Sequence, residues 1–236
     1  MSIDDTLDRA ETAVAQGRGL KGTGFWGAVD SVRRDRALAE RYADRVAAID
    51  RRAFERGVRL RVPIGIGASG LLLGTLFGFA VIAIAFFFIW DGSLCGFAEP
   101  CTPTLAGGAL FLVGFAAVLV CTHCLVHLVV GRALGIRFTH VFLGGPPPPR
   151  PGLKIDYASY LRTPAKARAV MHASGAIFTK LVPFAFLIPA VMLYFGWSWL
   201  TWLLLVIGVG QIVTDITLST KVSDWKKVKR ELRAAS

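Results

Sequence analysis

The sequence predicts an all-α polytopic membrane protein with four transmembrane helices, a short cytoplasmic β-hairpin between the second and third helices, and an amphipathic helical region at the amino terminus. The chain of 236 residues is 54% hydrophobic and carries a formal net charge of +11, so its apolar and basic residues must be segregated. Four stretches, 64–90, 105–130, 173–195 and 197–219, contain almost no charge. Each is long enough, at about 1.5 Å per residue, to cross about 30 Å of hydrocarbon.

The distribution of Lys and Arg predicts the orientation of these helices. Of the 27 basic residues, 13 lie in 1–62, seven in 131–169 and six in 221–236, whereas the loop 91–104 contains none. Loops rich in Lys and Arg stay on the cytoplasmic side of the membrane. We therefore expect an integral protein of the cell (plasma) membrane, with the lipid bilayer as its first partner and with both termini in the cytoplasm.

Three regions follow from the same pattern: a cytoplasmic helical region at 1–62, a four-helix membrane domain at 63–220, and a basic cytoplasmic tail at 221–236 that we expect to lie on anionic lipid.

The first region should contain a short helix near 3–16 and, after a Gly-rich break, a longer helix near 25–57. The apolar stripe of the longer helix suits packing on the membrane domain or lipid headgroups, docking of a partner, or self-association. Its 13 basic residues are interspersed with 10 acidic ones, which argues against a nucleic-acid partner.

Local patterns predict structure in two loops. Alternation of apolar and polar residues at 135–143 predicts a strand, and 153–157 could return antiparallel to it through a proline-rich turn at 146–151. In the outer loop, Cys95 and Cys101 face the compartment where disulfides persist, so a bridge between them is expected.

A repeat of small residues marks one face of the first span. Gly70, Gly74 and Gly78 are spaced by four residues, so they share a helix face and permit close approach of another backbone. Packing within the chain and formation of a homodimer are the two uses that such a face allows.

Ionisable side chains within a bilayer are costly, so each one is a candidate functional group. The predicted spans contain four of them, His123, His127, Lys180 and Asp215, and His172 directly precedes the third span. Because His123 and His127 are four residues apart, they project within about 40° of each other around a helix and could bind one ion. Topology places Asp215 in the same leaflet, and two His with one carboxylate is a recurrent zinc set. We therefore predict a zinc site at His123, His127 and Asp215, which pairing of Asp215 with Lys180 would weaken.

Three motifs resemble those of the site-2 intramembrane metalloproteases. The run from Thr122 to Ile136, Thr-His-Cys-Leu-Val-His-Leu-Val-Val-Gly-Arg-Ala-Leu-Gly-Ile, is similar to that family's His-Glu-x-x-His helix. Residues 173–179 resemble its second, Gly-containing motif, and Thr214-Asp215 resembles the motif that supplies the third zinc ligand. The resemblance covers a three-helix core at 105–220 and implies a zinc-bound water that attacks a peptide bond.

The chain departs from that family at positions that carry the chemistry. Cys124 occupies the place of the Glu that serves as general base, Ile216 replaces a Gly, and Thr179 with Lys180 stands where the family usually has Asn. Proton shuttling contributes roughly 10² to 10⁴ in rate, so these changes predict lost or altered peptidase activity. The Cys124 side chain could instead bind the metal or be a small buried hydrophobe.

Three functions are consistent with these patterns. The leading hypothesis is a site-2-protease-like metalloprotein that is proteolytically degenerate, a pseudoenzyme, and that binds a transmembrane-helix or membrane-complex partner. The second is an active intramembrane zinc metalloprotease that uses another acid or base, such as His172 or His140. The third is a structural subunit of a larger membrane complex, in which the polar groups only fasten helices together.

Overall fold

The computed structural model describes residues 2–89, 105–144, 150–191, 198–217 and 223–235. The predicted disulfide and most of the proline-rich turn lie outside these residues. Contacts divide the chain into two compact units. The first unit comprises Met1–Gly67, Leu128–His172 and Lys227–Ser236, and the second comprises Ala68–His127 and Ala173–Lys226.

The described elements are mostly helical, with one small sheet. In chain order they are α1 (Ile3–Ala15), α2 (Phe25–Arg34), α3 (Arg36–Gly57), β1 (Arg61–Pro63), α4 (Ile64–Ile89), α5 (Leu105–Ala133), β2 (Phe138–Gly144), β3 (Arg150–Ile155), α6 (Tyr157–Arg162), α7 (Ala165–Pro189), α8 (Trp199–Thr217) and α9 (Asp224–Arg233).

Three helices among the described residues are long and apolar enough to cross a membrane. Their apolar segments are Ile64–Phe86, Leu105–Ala133 and Ala165–Ile188. The fourth predicted span corresponds to α8, whose apolar segment, Trp199–Asp215, is shorter than the other three. The fold is therefore that of a membrane protein with at least three candidate spans, and a fourth span remains a prediction.

The amino-terminal region folds as three helices, so the prediction of one continuous helix near 25–57 is wrong. Asp35 interrupts that helix with an extended backbone (φ −119°, ψ 120°). Its carboxylate accepts hydrogen bonds from the backbone N–H of Ala37 at 2.8 Å and of Leu38 at 3.1 Å. An Asp in this position satisfies N–H groups that have no partner within the helix, and so it begins α3 anew.

The apolar stripe of α3 packs within the first unit. Tyr42, Val46 and Ile49 are buried, and α3 contacts α1, α2 and α6. Opposite charges reinforce the pairing of α3 with α1, because Arg45 donates to Glu11 at 3.0 Å and also to Asp8. This stripe therefore contributes to a small helical core of the amino-terminal region itself.

The predicted hairpin is confirmed, and a third strand extends it. Antiparallel β2 and β3 pair Phe138 with Ile155 and Val141 with Leu153, and β1 adds to the other edge of β2. One face of the sheet lies on α3, where the rings of Phe54 and Phe142 meet edge to face at 5.2 Å.

A buried charge cluster connects distant parts of the first unit. The carboxylate of Glu231, which is fully buried, accepts from Arg168 Nε at 2.6 Å and from the Tyr160 hydroxyl at 2.8 Å, and Arg33 Nη1 lies 3.4 Å away. Burial and the neighbouring Glu231 carboxylate raise the pKa of Tyr160, so its hydroxyl stays protonated and donates. We call Glu231, Arg168, Arg33 and Tyr160 the buried ion cluster.

Arg168 uses the rest of its guanidinium group on backbone carbonyls. It donates to Thr163 O at 2.7 Å, to Arg33 O at 3.1 Å and to Leu161 O at 3.3 Å. A buried ion pair is tolerated when its remaining donors and acceptors are satisfied in this way. Since Glu231 belongs to α9, part of the tail that we expected to lie on lipid is built into the interior of the first unit.

The second unit has an apolar core drawn from α4, α5, α7 and α8. Its fully or nearly buried members are Ile82, Ala85, Phe111, Phe115, Val118, Val182, Ala190, Leu200 and Leu204.

Two glycines of the predicted repeat allow α4 to approach α5 closely. A Cβ added to Gly74 would lie 2.7 Å from Cys121 Sγ, and one added to Gly78 would lie 2.8 Å from Gly114 O. A Cβ on Gly70 would meet nothing within 4 Å, so two of the three glycines serve packing within the chain.

We expect Gly78→Ala to destabilise the second unit by about 1–3 kcal/mol, because the added methyl group would overpack the α4–α5 contact. Thermal unfolding of the purified chain in detergent measures this loss. Gly70→Ala is the matched control in the same helix, since its methyl group enters open space, and it should leave the midpoint almost unchanged. Equal midpoints for the two variants would contradict the close approach at Gly78.

Candidate metal centre

Three potential metal ligands converge in the second unit. His123 and His127 lie one helical turn apart on α5, and Asp224 is the first residue of α9. One ligand atom from each of the three lies within 4.8 Å of the other two. The Asp224 Oδ2 atom lies 3.3 Å from His127 Nε2 and 3.5 Å from His123 Nε2.

A hydrogen bond to Thr179 fixes the proton of His123. The Thr179 hydroxyl donates to the carbonyl of Gly175 at 2.7 Å, as is common for Thr within a helix. Its oxygen lies 2.7 Å from His123 Nδ1 and therefore accepts the Nδ1 proton. The neutral imidazole then presents an unprotonated Nε2 toward Asp224, and a hydrogen bond at the other nitrogen is the usual support of a metal-binding His.

The His123 to Asp224 contact therefore brings two acceptors together. In the neutral imidazole, Nε2 and the carboxylate oxygen at 3.5 Å have no proton to share. Either protonation of the imidazole, which makes Nε2 a donor, or a cation bound between the two atoms turns this contact into an attraction. Two ligands at about 2.1 Å from a tetrahedral zinc ion lie about 3.4 Å apart. The two distances from Oδ2, 3.3 and 3.5 Å, agree with that separation.

Gly175 leaves the space that the His127 ring occupies. A Cβ at this position would lie 2.3 Å from His127 Nε2 and 2.6 Å from Cε1, closer than real Cβ contacts. The glycine of the 173–179 motif thus has a direct role, because any larger residue would displace the ring. His127 is 11% exposed, Asp224 16% and His123 34%, so the three are partly shielded and a small ion can still reach them.

Asp215, which we predicted as the third ligand, is engaged elsewhere. Its carboxylate forms an ion pair with Lys180, whose Nζ also donates to Ala176 O at 3.1 Å and lies 5.7 Å from the centre of the Trp225 ring. Asp224 therefore stands in the group of donors where Asp215 was expected. The ion pair satisfies a carboxylate that would otherwise be unpaired within an apolar helix.

The remaining predicted residues lie outside this group of donors. Cys124 is 3% exposed, and the converging set contains His123, His127 and Asp224 without it, which fits the small buried hydrophobe. His172 Nε2 contacts the Tyr160 hydroxyl at 2.9 Å. His140 lies on β2, 5.8 Å from the Phe54 ring, and its Nδ1 is buried without a hydrogen-bond partner among the described residues.

Comparisons with known proteins add no relative. No protein-family model matches the chain, and no curated protein or solved structure matches it either. Arguments about function therefore depend on the geometry of the site.

Proposed function

We propose that this chain is an integral membrane metal-binding protein, related to the site-2 proteases but degenerate as a peptidase, that holds zinc between His123, His127 and Asp224. The observation that carries the proposal is the apposition of His123 Nε2 and Asp224 Oδ2 at 3.5 Å while Thr179 takes the proton of Nδ1. A divalent cation bound by both atoms removes the repulsion between them. The three residues fit zinc, because two imidazoles and one carboxylate are ordinary zinc ligands.

We propose that peptidase activity is lost because no acidic residue in the described part of the second unit is left to serve as general base. In the described part of the second unit the acidic residues are Asp215 and Asp224, and both are engaged, the first by Lys180 and the second by the histidines. Cys124 offers neither a carboxylate nor exposure. Zinc polarises a carbonyl and acidifies bound water, but the departing amine still needs a proton from a positioned group.

A protein that retains the metal site without the base is suited to binding rather than cleavage. We propose a transmembrane helix, alone or within a membrane complex, as the partner, with a homodimer as the second form of association. The proposed location is the cell membrane with both termini in the cytoplasm. The charge distribution supports this orientation, because all the basic residues except Lys180 lie in the two terminal regions and in 131–169.

Metal content tests the site. The purified full chain in detergent is stripped with a chelator, reloaded with Zn²⁺, and examined by elemental analysis and calorimetric titration. We expect about one zinc per chain and a strong loss of affinity in Asp224→Asn. Loss of an outer-shell partner alone typically costs about 10–100-fold, so loss of a ligand should cost at least as much.

Asp215→Asn is the matched control, since it removes a carboxylate that Lys180 holds, and it should leave zinc affinity almost unchanged. A larger loss of zinc affinity in Asp215→Asn than in Asp224→Asn would show that Asp215, and not Asp224, is the third ligand. Unchanged zinc content in both His123→Ala and His127→Ala would show that the donors hold no metal.

A further inference from the structure

A basic cleft lies in the first unit, where α1 ends and the glycine-rich loop 16–24 begins. The cleft has a volume of about 440 Å³. Its lining consists of Asp8, Arg9, Thr12, Ala13, Arg18, Gly19, Lys21, Gly22 and Thr23. Three of these nine residues are basic and one is acidic, and two carry hydroxyl groups.

The positive charge of the cleft is not cancelled by its acidic member. Asp8 forms an ion pair with Arg45, which Asp4 and Glu11 share, and the three basic residues of the lining outnumber its one carboxylate. Arg18 bonds to the neutral side-chain amide of Gln16, and Lys21 has no ion-pair partner among the described residues. An anion in the cleft would therefore meet an excess of positive charge.

The carboxyl-terminal end of α1, which is the negative end of a helix dipole, is also compensated. Arg56 Nη1 donates to the carbonyl of Val14 and, at 3.3 Å, to that of Ala15. The Arg18 N–H closes the helix by donating to Ala13 O at 2.8 Å. The carbonyl groups beside the cleft thus have partners and do not repel an anion.

The glycines of the loop 16–24 leave space for a ligand beside the backbone. Gly17 and Gly22 have positive φ angles of 77° and 82°, which explains why they are glycines. Gly19 has neither a positive φ nor any atom within 4 Å of an added Cβ, so neither backbone conformation nor packing in the first unit requires glycine there. A residue without a side chain at this position keeps the cleft open.

We propose that this cleft binds a phosphate-bearing ligand, with Arg18, Lys21 and Arg9 supplying charge. The hydroxyl groups of Thr12 and Thr23 donate to the backbone carbonyls of Asp8 and Leu20, so recognition of the ligand depends on the three basic side chains. Charge-assisted bonds from Arg and Lys are the usual means of recognising phosphate oxygens. The same chemistry serves a soluble polyphosphate and an anionic lipid headgroup, so the test examines both sources. The proposal is independent of the metal site, which lies in the second unit.

The soluble arm titrates inorganic pyrophosphate into the detergent-purified full chain by calorimetry. The lipid arm counts phosphatidylglycerol molecules retained by the chain in native mass spectrometry. The test variant is Arg18→Gln with Lys21→Gln, and the control is Arg52→Gln with Arg59→Gln, which removes the same charge from exposed residues outside the cleft. We expect the test variant to bind pyrophosphate about tenfold more weakly, or to retain no phosphatidylglycerol, because two charged contacts are removed.

A second variant separates the cleft from general surface charge. Gly19→Val adds volume in the cleft without changing charge, and Gly27→Val, on an exposed part of α2 with open space around it, is its control. We expect Gly19→Val to weaken binding and Gly27→Val to leave it intact. The proposal fails if neither arm shows saturable binding, if the two charge variants lose equally, or if Gly19→Val binds as the wild type does.

Discussion

Replacing Glu231 with Ala is expected to lower the free energy of unfolding of the first unit by about 3–5 kcal/mol, because it leaves the buried guanidinium group of Arg168 without a counter-ion. Arg33 also loses a contact but keeps its ion pair with Asp30. Arg168 is 2% exposed and Arg33 6%, so water cannot replace the lost carboxylate. Hydrogen exchange of α2 and α6, measured by mass spectrometry on the full chain in detergent, should show faster exchange at these helices.

Two variants separate the charge from the hydrogen bonds. Glu231→Gln keeps an acceptor for the Tyr160 hydroxyl and removes the charge, so we expect a loss smaller than that of the alanine variant. Glu55→Ala removes a carboxylate from an exposed position of α3 and should change stability by less than about 0.5 kcal/mol. If Glu231→Ala is as stable as Glu55→Ala, the buried ion cluster contributes nothing to the first unit.

The second large effect concerns catalysis. We expect no metal-dependent cleavage of membrane-helix substrates by the wild-type chain, and we expect Cys124→Glu to be the single change that restores some of it. The substitution places a carboxylate between the two histidines in sequence, where it could take a proton from a zinc-bound water and return it to the amine. Cleavage of a labelled transmembrane peptide in proteoliposomes measures the effect.

Addition of His123→Ala to Cys124→Glu provides the control for contaminating proteases, because it removes a metal ligand and should abolish the restored activity. A chelator should do the same and a zinc supplement should reverse it. Cleavage by the wild-type chain that His123→Ala abolishes would establish the active-protease alternative and overturn the degenerate interpretation.

The long apolar helices and the hairpin could be predicted from sequence because their signals are local. Span length follows from hydropathy, and β2 follows from the alternation at 135–143. The predicted return at 153–157 overlaps only the last three residues of β3, because its first residues, Arg-Pro-Gly, carry no strand pattern. Strand β1 has three residues, too few for any alternation to be recognised. The break at Asp35 was missed because an Asp within a highly charged segment resembles an ordinary surface residue of a helix. Only the structure shows that its side chain caps α3.

The candidate site was predicted in part. The four-residue spacing of His123 and His127 was sufficient to place both on one face of α5. Asp224, the third member of the converging donors, was not among the predicted residues because it lies beyond the predicted spans, in a tail that basic charge alone assigned to the lipid surface. One signal was present: Asp224 and Glu231 are the only acidic residues of 221–236, and seven residues place both on one face of a helix.

The buried ion cluster also has a consequence for the biosynthesis of the chain. Arg168 bonds to a carbonyl 135 residues earlier and to a carboxylate 63 residues later, so its partners emerge from the ribosome at widely separated times. Chains are made from the amino terminus and fold in that order, so Arg168 is synthesised 63 residues before the carboxylate that neutralises it. The first unit is therefore completed only after residue 231 has been synthesised, and a chain truncated before that residue lacks the counter-ion of Arg168.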